Sequence, residues 1–403
     1  MNSNTSVKTA ALFMCATALA PIQQLHAANA DSDAEFYLRD EEFSLRDMLR
    51  FESQDGDFSL RLGGRLHADA ARFSDDSNNL LNEDSYDTEF RRARLFVSGK
   101  AFDEWRYRLE YDFSADHDYK IKSAWVGYNG FKPVTIRAGN VLVPFSLEEM
   151  TSSNNITFME RALPNAFASS YKVGVLMNTY GEKWSAAAGL FDGNIRNGSK
   201  DGWGVAGRLT FAPVREKRSV LHLGGAVEYR EPDEVNFNTR PESHLAERLA
   251  GTGTLRDIDS TITAGLEAAV VRGSLSLQGE YMQASVERNR QRSDPDFSGW
   301  YVYGSWFITG EHRRYNSKKG NFKQIRPKSG YGAWELAARY SEVDLEDSGV
   351  TGGEEQNITL GLNWYLNRHI RFMANYVRVD ASPDRDGNSE SPDIIQLRAQ
   401  VVF

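Results

Sequence analysis

The stretch Asp393–Phe403, DIIQLRAQVVF, alternates from Ile395 to Val401. Ile395, Leu397, Ala399, Val401 and Phe403 are apolar, and Gln396, Arg398 and Gln400 between them are polar. A period of two is the mark of an extended strand with one dry and one wet face. The same unit recurs from Asp57 onward. In SLRLGGRLHADA, Leu60, Leu62, Leu66, Ala68 and Ala70 oppose Ser59, Arg61, Arg65, His67 and Asp69. In FRRARLFVSGK, Ala93, Leu95 and Val97 oppose Arg92, Arg94, Ser98 and Lys100. In WRYRLEYDF, Trp105, Tyr107, Leu109, Tyr111 and Phe113 oppose Arg106, Arg108, Glu110 and Asp112. Runs such as VTIRAG, WGVAGRLTF and NITLGLNWYL repeat the rule less strictly, and the total is about sixteen strands. No helical period competes with them.

Turns and loops between these runs are unequal. FDE, NGFKP, GEK and NRH are short, whereas DDSNNLLNEDSYD and DASPDRDGNSESPD are long, polar and acidic. Short turns at one end and long loops at the other are the pattern of a barrel that crosses an outer membrane. The mean hydropathy of −0.53 agrees with this, because strands that alternate apolar-out with polar-in look hydrophilic on average. No run after Ala30 reaches the roughly eighteen apolar residues of a membrane helix. Residues 1–30 read as a secretory signal peptide, with Lys8, an apolar run from Ala10 to Ala20, and small residues at Ala28 and Ala30. The single cysteine, Cys15, lies inside that leader, so the exported chain has no disulfide and no thiolate chemistry. A final strand with an aromatic last residue is similar to the terminal signal by which outer-membrane proteins are recognised for assembly. The expected architecture is therefore an all-β, transmembrane antiparallel β-barrel. A short periplasmic segment over 31–56 precedes it, the barrel occupies 57–403, and outer-membrane lipid and lipopolysaccharide surround it. Tryptophans at strand ends (Trp105, Trp125, Trp184, Trp300, Trp306, Trp334, Trp364), with Tyr128, are expected to form interfacial girdles.

A barrel of this size encloses water rather than a packed core. Two connections bear on what the water path looks like. VLVPFSLEEMTSSNNITFMERALPNAFASSY is too apolar for an external loop. It is expected to fold into the lumen, burying Phe145, Leu147, Met150, Ile156, Phe158 and Met159 against the wall. GEHRRYNSKKGNFKQIRPKSGYG breaks the short-turn rule and carries Arg313, Arg314, Lys318, Lys319, Lys323, Arg326 and Lys328. It reads as a solvated periplasmic loop or, alternatively, as a device that draws anions to the inner mouth.

RLGGRLHAD, FRRARLFVSGK, RYRLEYDF, the run from PFSLEE through TSSNNITFMERALPNAF, and GEHRRY with WELAARYS resemble the phosphate- and polyphosphate-selective porins, the porin O/P family. The resemblance covers essentially the whole exported chain. It implies a homotrimer of sixteen-stranded barrels, an inward third loop, and a neck that takes phosphate or polyphosphate. Carried over by position, Arg91, Arg92, Ser152, Ser153 and Arg161 are the implied phosphate contacts. Arginine presents a permanently charged planar fork and serine a neutral hydroxyl, which suits phosphate oxygens. Arg61, Arg65, Arg94, Arg106, Arg108, Arg137 and Arg398 share the inferred lumen face and extend the contacts into a ladder, or else pair with wall acids such as Glu110 and Asp112.

One position departs from the family. Glu149 stands where phosphate-selective members carry lysine, and the net charge of −9 gives no global pull on anions. Two alternatives accordingly stay open: a general, organic-anion or sugar porin of the same fold, and a structural or adhesive barrel that does not conduct. Neither enzyme activity nor a metal, cofactor or nucleic-acid partner is expected. Glu148 and Glu149 are adjacent on an extended chain and point apart, seven histidines are scattered, and Asp384–Glu390 has only the opening rhythm of a calcium loop.

Overall fold

Alternation becomes architecture once every strand finds a partner on both edges. The computed structural model describes residues 49–74, 85–115, 120–193, 195, 202–289, 293–382 and 389–403. The signal-peptide reading and most of Asp384–Glu390 lie outside them. Sixteen strands form the wall: β1 (Phe58–Ser74), β2 (Tyr86–Ala101), β3 (Trp105–Asp112), β4 (Ile121–Tyr128), β5 (Thr135–Leu142), β6 (Tyr171–Tyr180), β7 (Trp184–Phe191) and β8 (Trp203–Arg215), followed by β9 (Ser219–Glu231), β10 (Ile258–Arg272), β11 (Leu275–Arg288), β12 (Asp296–Phe307), β13 (Ala333–Asp347), β14 (Val350–Tyr365), β15 (Ile370–Ala381) and β16 (Asp393–Val402). Each pairs antiparallel with its neighbours in sequence, and β16 closes on β1 with His67 opposite Gln400 and Asp69 opposite Arg398. A short strand, Arg50–Glu52, pairs with Ser59–Arg61 at the turn end of β1.

The seam is tight. Gly64 and Phe403 exchange backbone hydrogen bonds in both directions, at 3.0 and 3.1 Å. A Cβ on Gly63 would come within 2.5 Å of the Phe96 ring, and one on Gly64 within 2.6 Å of the Phe403 ring, so the GG pair fits where larger residues would not.

Outward faces are apolar and exposed, among them Leu190, Leu209, Leu266, Leu277, Leu360 and Leu397. Buried positions on the inward faces include Arg92, Glu110, Arg208, Glu267, Arg339, Asn363 and Arg398. This inversion suits a wall with lipid outside and polar groups inside. Two aromatic belts frame the apolar band. At the turn end Trp105 meets Tyr128 at 5.0 Å and Trp334 stacks on Trp364 at 5.3 Å; at the loop end Trp203 meets Tyr229 and Trp300 meets Tyr340. Trp125 is the exception to the girdle expectation. It faces inward, over Arg137 and beside Leu176 and Phe191, because Val126 and not Trp125 takes the outward phase of β4.

Leu266, 68% exposed at mid-strand between Gly225 and Tyr281, gives a direct test of this orientation. Leu266→Arg is expected to cost about 2–4 kcal/mol of folding into lipid vesicles, read from the urea midpoint. An unchanged midpoint would place this face away from lipid.

Candidate functional site

The connection between β5 and β6, residues 143–170, enters the barrel, as its apolar content predicts. Phe145, Leu147, Ile156, Phe158 and Met159 are buried and Met150 is half-buried. Ser146 adopts φ 63° and caps a single helical turn, Leu147–Met150, by accepting from the Glu149 amide at 3.1 Å. The first amides of that turn, Leu147 and Glu148, both donate at 2.8 Å to the Glu280 carboxylate on β11. From there the loop crosses to the far wall, where Arg371 donates to the carbonyls of Ile156 and Thr157, Asn363 to Thr157, and Arg339 to Glu160. Phe145, Leu163 and Phe167 pack with Met282, Ala284, Val286 and Phe297. The loop is thus fastened to β11–β16, and its other side faces the arginines of β1–β5.

Consecutive residues in a regular strand point to opposite faces, so Arg91 and Arg92 should diverge. A bulge removes that constraint: His67 opposes Arg92 while Ala68 opposes Phe90, which leaves Arg91 as the extra residue. Both guanidiniums then reach one loop carboxylate. Arg91 donates to the two oxygens of Glu160 at 2.9 and 3.1 Å, Arg92 approaches at 3.5 Å, and Arg398 donates at 2.7 Å. Burial alone would raise the Glu160 pKa, but Arg91, Arg92 and Arg398 overcome it and hold the carboxyl well below the usual range. Arg398 also grips Asp69 through two bonds of 2.7 and 2.6 Å. Its register is therefore level with Asp69 and Glu160, higher in the wall than the neighbourhood of Arg61 and Arg65 that strand adjacency alone suggests.

The rest of the ladder divides into two groups. Arg65, Arg94 and Arg108 share the Glu110 carboxylate, and Arg94 adds Asp112 at 2.6 Å. Toward the turn end, Arg106 bonds the carbonyls of Asp103 and Trp105, and Arg137 bonds Asn178 at 2.5 Å. Phe96 lies between Arg108 and Arg61, whose guanidinium carbons stand 3.9 and 5.4 Å from its ring centre. Of the implied phosphate contacts, Ser152 and Ser153 meet the ladder at Arg65, at 3.4 and 3.0 Å. Arg161 does not join them. It wraps its own loop, bonding the carbonyls of Glu148, Glu149 and Thr151 and pairing with Glu149 at 3.0 Å.

Two more segments occupy the lumen. Residues 232–257 reach across the loop end, where Glu242 pairs with Arg339 at 2.5 Å and Leu249 joins Phe73, Val377 and Ile394. The basic insertion folds inward too, which corrects its reading as a solvated periplasmic loop. Phe322 is buried against Leu147, Val220, Ala269 and Val271. Asn321 donates to the Met150 carbonyl at 2.7 Å, Arg208 clasps the carbonyls of Lys319 and Gly320, and Lys318 lies over the Tyr180 ring at 4.6 Å. Burial, with Arg137, Arg108 and Lys323 nearby, pushes the Lys319 pKa down. Apolar residues at 315 and 322, on either side of the basic run, were the signal for inward packing.

Sequence comparison then meets this geometry. The family described as "Phosphate-selective porin O and P" matches residues 60–403, which span every wall strand almost entirely. The chain belongs to this family. Porin O of Pseudomonas aeruginosa is 30% identical over 88% of this chain and 91% of its own length. Among solved structures, the outer-membrane channel DcaP of Acinetobacter baumannii covers 88% of this chain and all of its own at 13% identity, with a TM-score of 0.59. An anion-selective porin from Comamonas acidovorans covers 86% of this chain and all of its own at 13% identity, with a TM-score of 0.54.

In this outer-membrane porin the departure at Glu149 has a local explanation. The carboxylate is buried and tied to Arg161, so it presents no naked charge to the lumen. Glu148, its neighbour, faces Arg339 at 3.5 Å and accepts from the Ala162 amide; burial pushes its pKa up. The two acids point apart and hold the loop. Among the described residues no group of three or more metal-binding side chains converges. Sequence reasoning overlooked Glu160 and Asp69 as the acids that hold Arg91, Arg92 and Arg398 inside the barrel.

Proposed function

We propose that the porin passes small oxyanions, namely phosphate, pyrophosphate or polyphosphate, through an arginine-lined neck. One observation supports the reading: Arg65, Arg94 and Arg108 of β1–β3 cluster on the side of the lumen where Arg65 meets Ser152 and Ser153 of the inward loop. A passing oxyanion would find guanidinium forks on the wall and hydroxyl donors on the loop, a selectivity device that works in a narrow channel whatever the net charge of the chain. Homotrimers in outer-membrane lipid and lipopolysaccharide complete the proposal. Strands β3, β4, β5 and β7 have 8 residues each, short of the roughly 9–11 that cross a bilayer, so this side of the wall suits cover by neighbouring barrels.

The test is a planar-bilayer recording of the purified porin. Reversal potentials in a KCl gradient should show anion preference, and added phosphate should block chloride current. Arg65→Ala should weaken that block by roughly tenfold or more, since charge-assisted bonds contribute about 1.5–3 kcal/mol. A cation-preferring pore indifferent to phosphate would sink the reading. A second reading, a channel for organic anions, is favoured by Phe96 between two guanidiniums and by inward Trp125 over Arg137 at 5.4 Å. In that event an aryl carboxylate would block chloride current more strongly than phosphate.

A further inference from the structure

We infer that Glu160 is a resident competitor in the neck: its carboxylate occupies the seat between Arg91, Arg92 and Arg398 that a passing phosphate would take, and thereby limits how tightly the porin holds phosphate. This rests on the oxyanion-channel reading above and adds to it a residue that sets affinity. Arg91 grips Glu160 through two parallel bonds, the same fork geometry that arginine uses on phosphate.

Three features mark a ligand seat rather than a structural ion pair. First, the carboxylate is not what anchors the loop. Arg371 holds the carbonyls of Ile156 and Thr157, Arg398 that of Met159 and Arg339 that of Glu160 itself, and all these bonds survive loss of the side-chain charge. Second, the fit is poor for two oxygens. Oε1 accepts from Arg91, Arg92 and Arg398 together, while Oε2 accepts from Arg91. Third, donor capacity is left over. Arg92 is 3% exposed, its Nη1 lies 3.5 Å from both Glu160 and His67, and its Nε has no partner among the described residues. A tetrahedral ion with four oxygens would satisfy these converging forks better than a planar carboxylate does. Arg398 retains Asp69 when Glu160 is withdrawn, so the arginines released are Arg91 and Arg92.

Glu160→Gln should therefore lower the concentration of inorganic phosphate that half-blocks chloride current by about tenfold or more. Glu160→Asp keeps the charge but withdraws it by a methylene, and should lower that concentration less. Adding Arg91→Ala to Glu160→Gln should erase the gain, an outcome that a merely loosened loop would not produce. An unchanged half-block in both single variants overturns the inference. So does a gain that persists without Arg91. Failure of the channel reading itself looks different: wild type and variants alike would then show cation preference in the KCl gradient.

Discussion

Arg339→Ala will open the constriction: single-channel conductance is expected to rise and become noisy, and the segments around residues 143–170 and 232–257 to become cleavable by protease. Arg339 is fully buried and stands between the two inward loops. It pairs with Glu242 of one at 2.5 Å and with Glu148 of the other at 3.5 Å, donates to the Glu160 carbonyl at 3.1 Å, and stacks over Phe158 at 4.3 Å. Truncation strands two buried carboxylates without a counter-charge. Removing one partner of a buried pair costs roughly 3–5 kcal/mol, enough to release a loop even where the wall itself stays closed. Ser341 and Thr359 still bond Glu242, and Glu280 still caps the helical turn, so the barrel should assemble while its filling loosens. Conductance and protease resistance both equal to wild type would show that the loops are held elsewhere.

The second large effect is on charge selectivity. Arg106→Glu combined with Arg137→Glu should turn an anion-preferring pore into a cation-preferring one, read as a change in sign of the reversal potential in a KCl gradient. These two arginines are chosen because they bond neutral groups: backbone carbonyls for Arg106, and Asn178 with the Trp125 ring for Arg137. Exchanging them for glutamate strands no acid, whereas the same change at Arg94 would set glutamate beside Asp112 and Glu110. Because the wall is low in dielectric and the path narrow, ions there respond to nearby charge far more than to the total. Retained anion preference would assign selectivity to the region around Glu160 alone.

Much of the barrel was legible because a period of two is a local property. Each of the runs ending in Ala70, Lys100, Phe113 and Phe403 declares its wet face without reference to any other strand. The inward third loop was also legible, since Phe145, Leu147 and Phe158 have no place in an external loop. What depends on register was not. Arg398 and Asp69 are far apart in sequence and meet through the closing seam. The bulge that brings Arg91 and Arg92 to one side leaves no trace in FRRARL, and without it Glu160 has no reason to stand out in FMER. Trp125 misled because a tryptophan near a strand end fits a girdle as well as a lumen. Arg161 shows what a position alone does not tell: its Nε and Nη2 bond the carbonyls of Glu148, Glu149 and Thr151 in its own loop, contacts that FMER does not announce.

The seam at Gly64 and Phe403 bears on how the barrel is made. Beyond Ser59–Arg61, where Arg50–Glu52 covers the edge, β1 finds its second partner in β16, so Leu66 waits for Val401 across nearly the whole wall. Contacts of such long sequence separation form slowly, and until they do the edges of β1 and β16 offer unpaired amides and carbonyls to any passing strand. Closure is then all-or-none in time: a chain missing its last strand would hold fifteen strands in an open sheet with two sticky edges, a template for aggregation rather than a smaller pore. Assembly must therefore keep the free edge of β1 guarded until β16 arrives to pair with it.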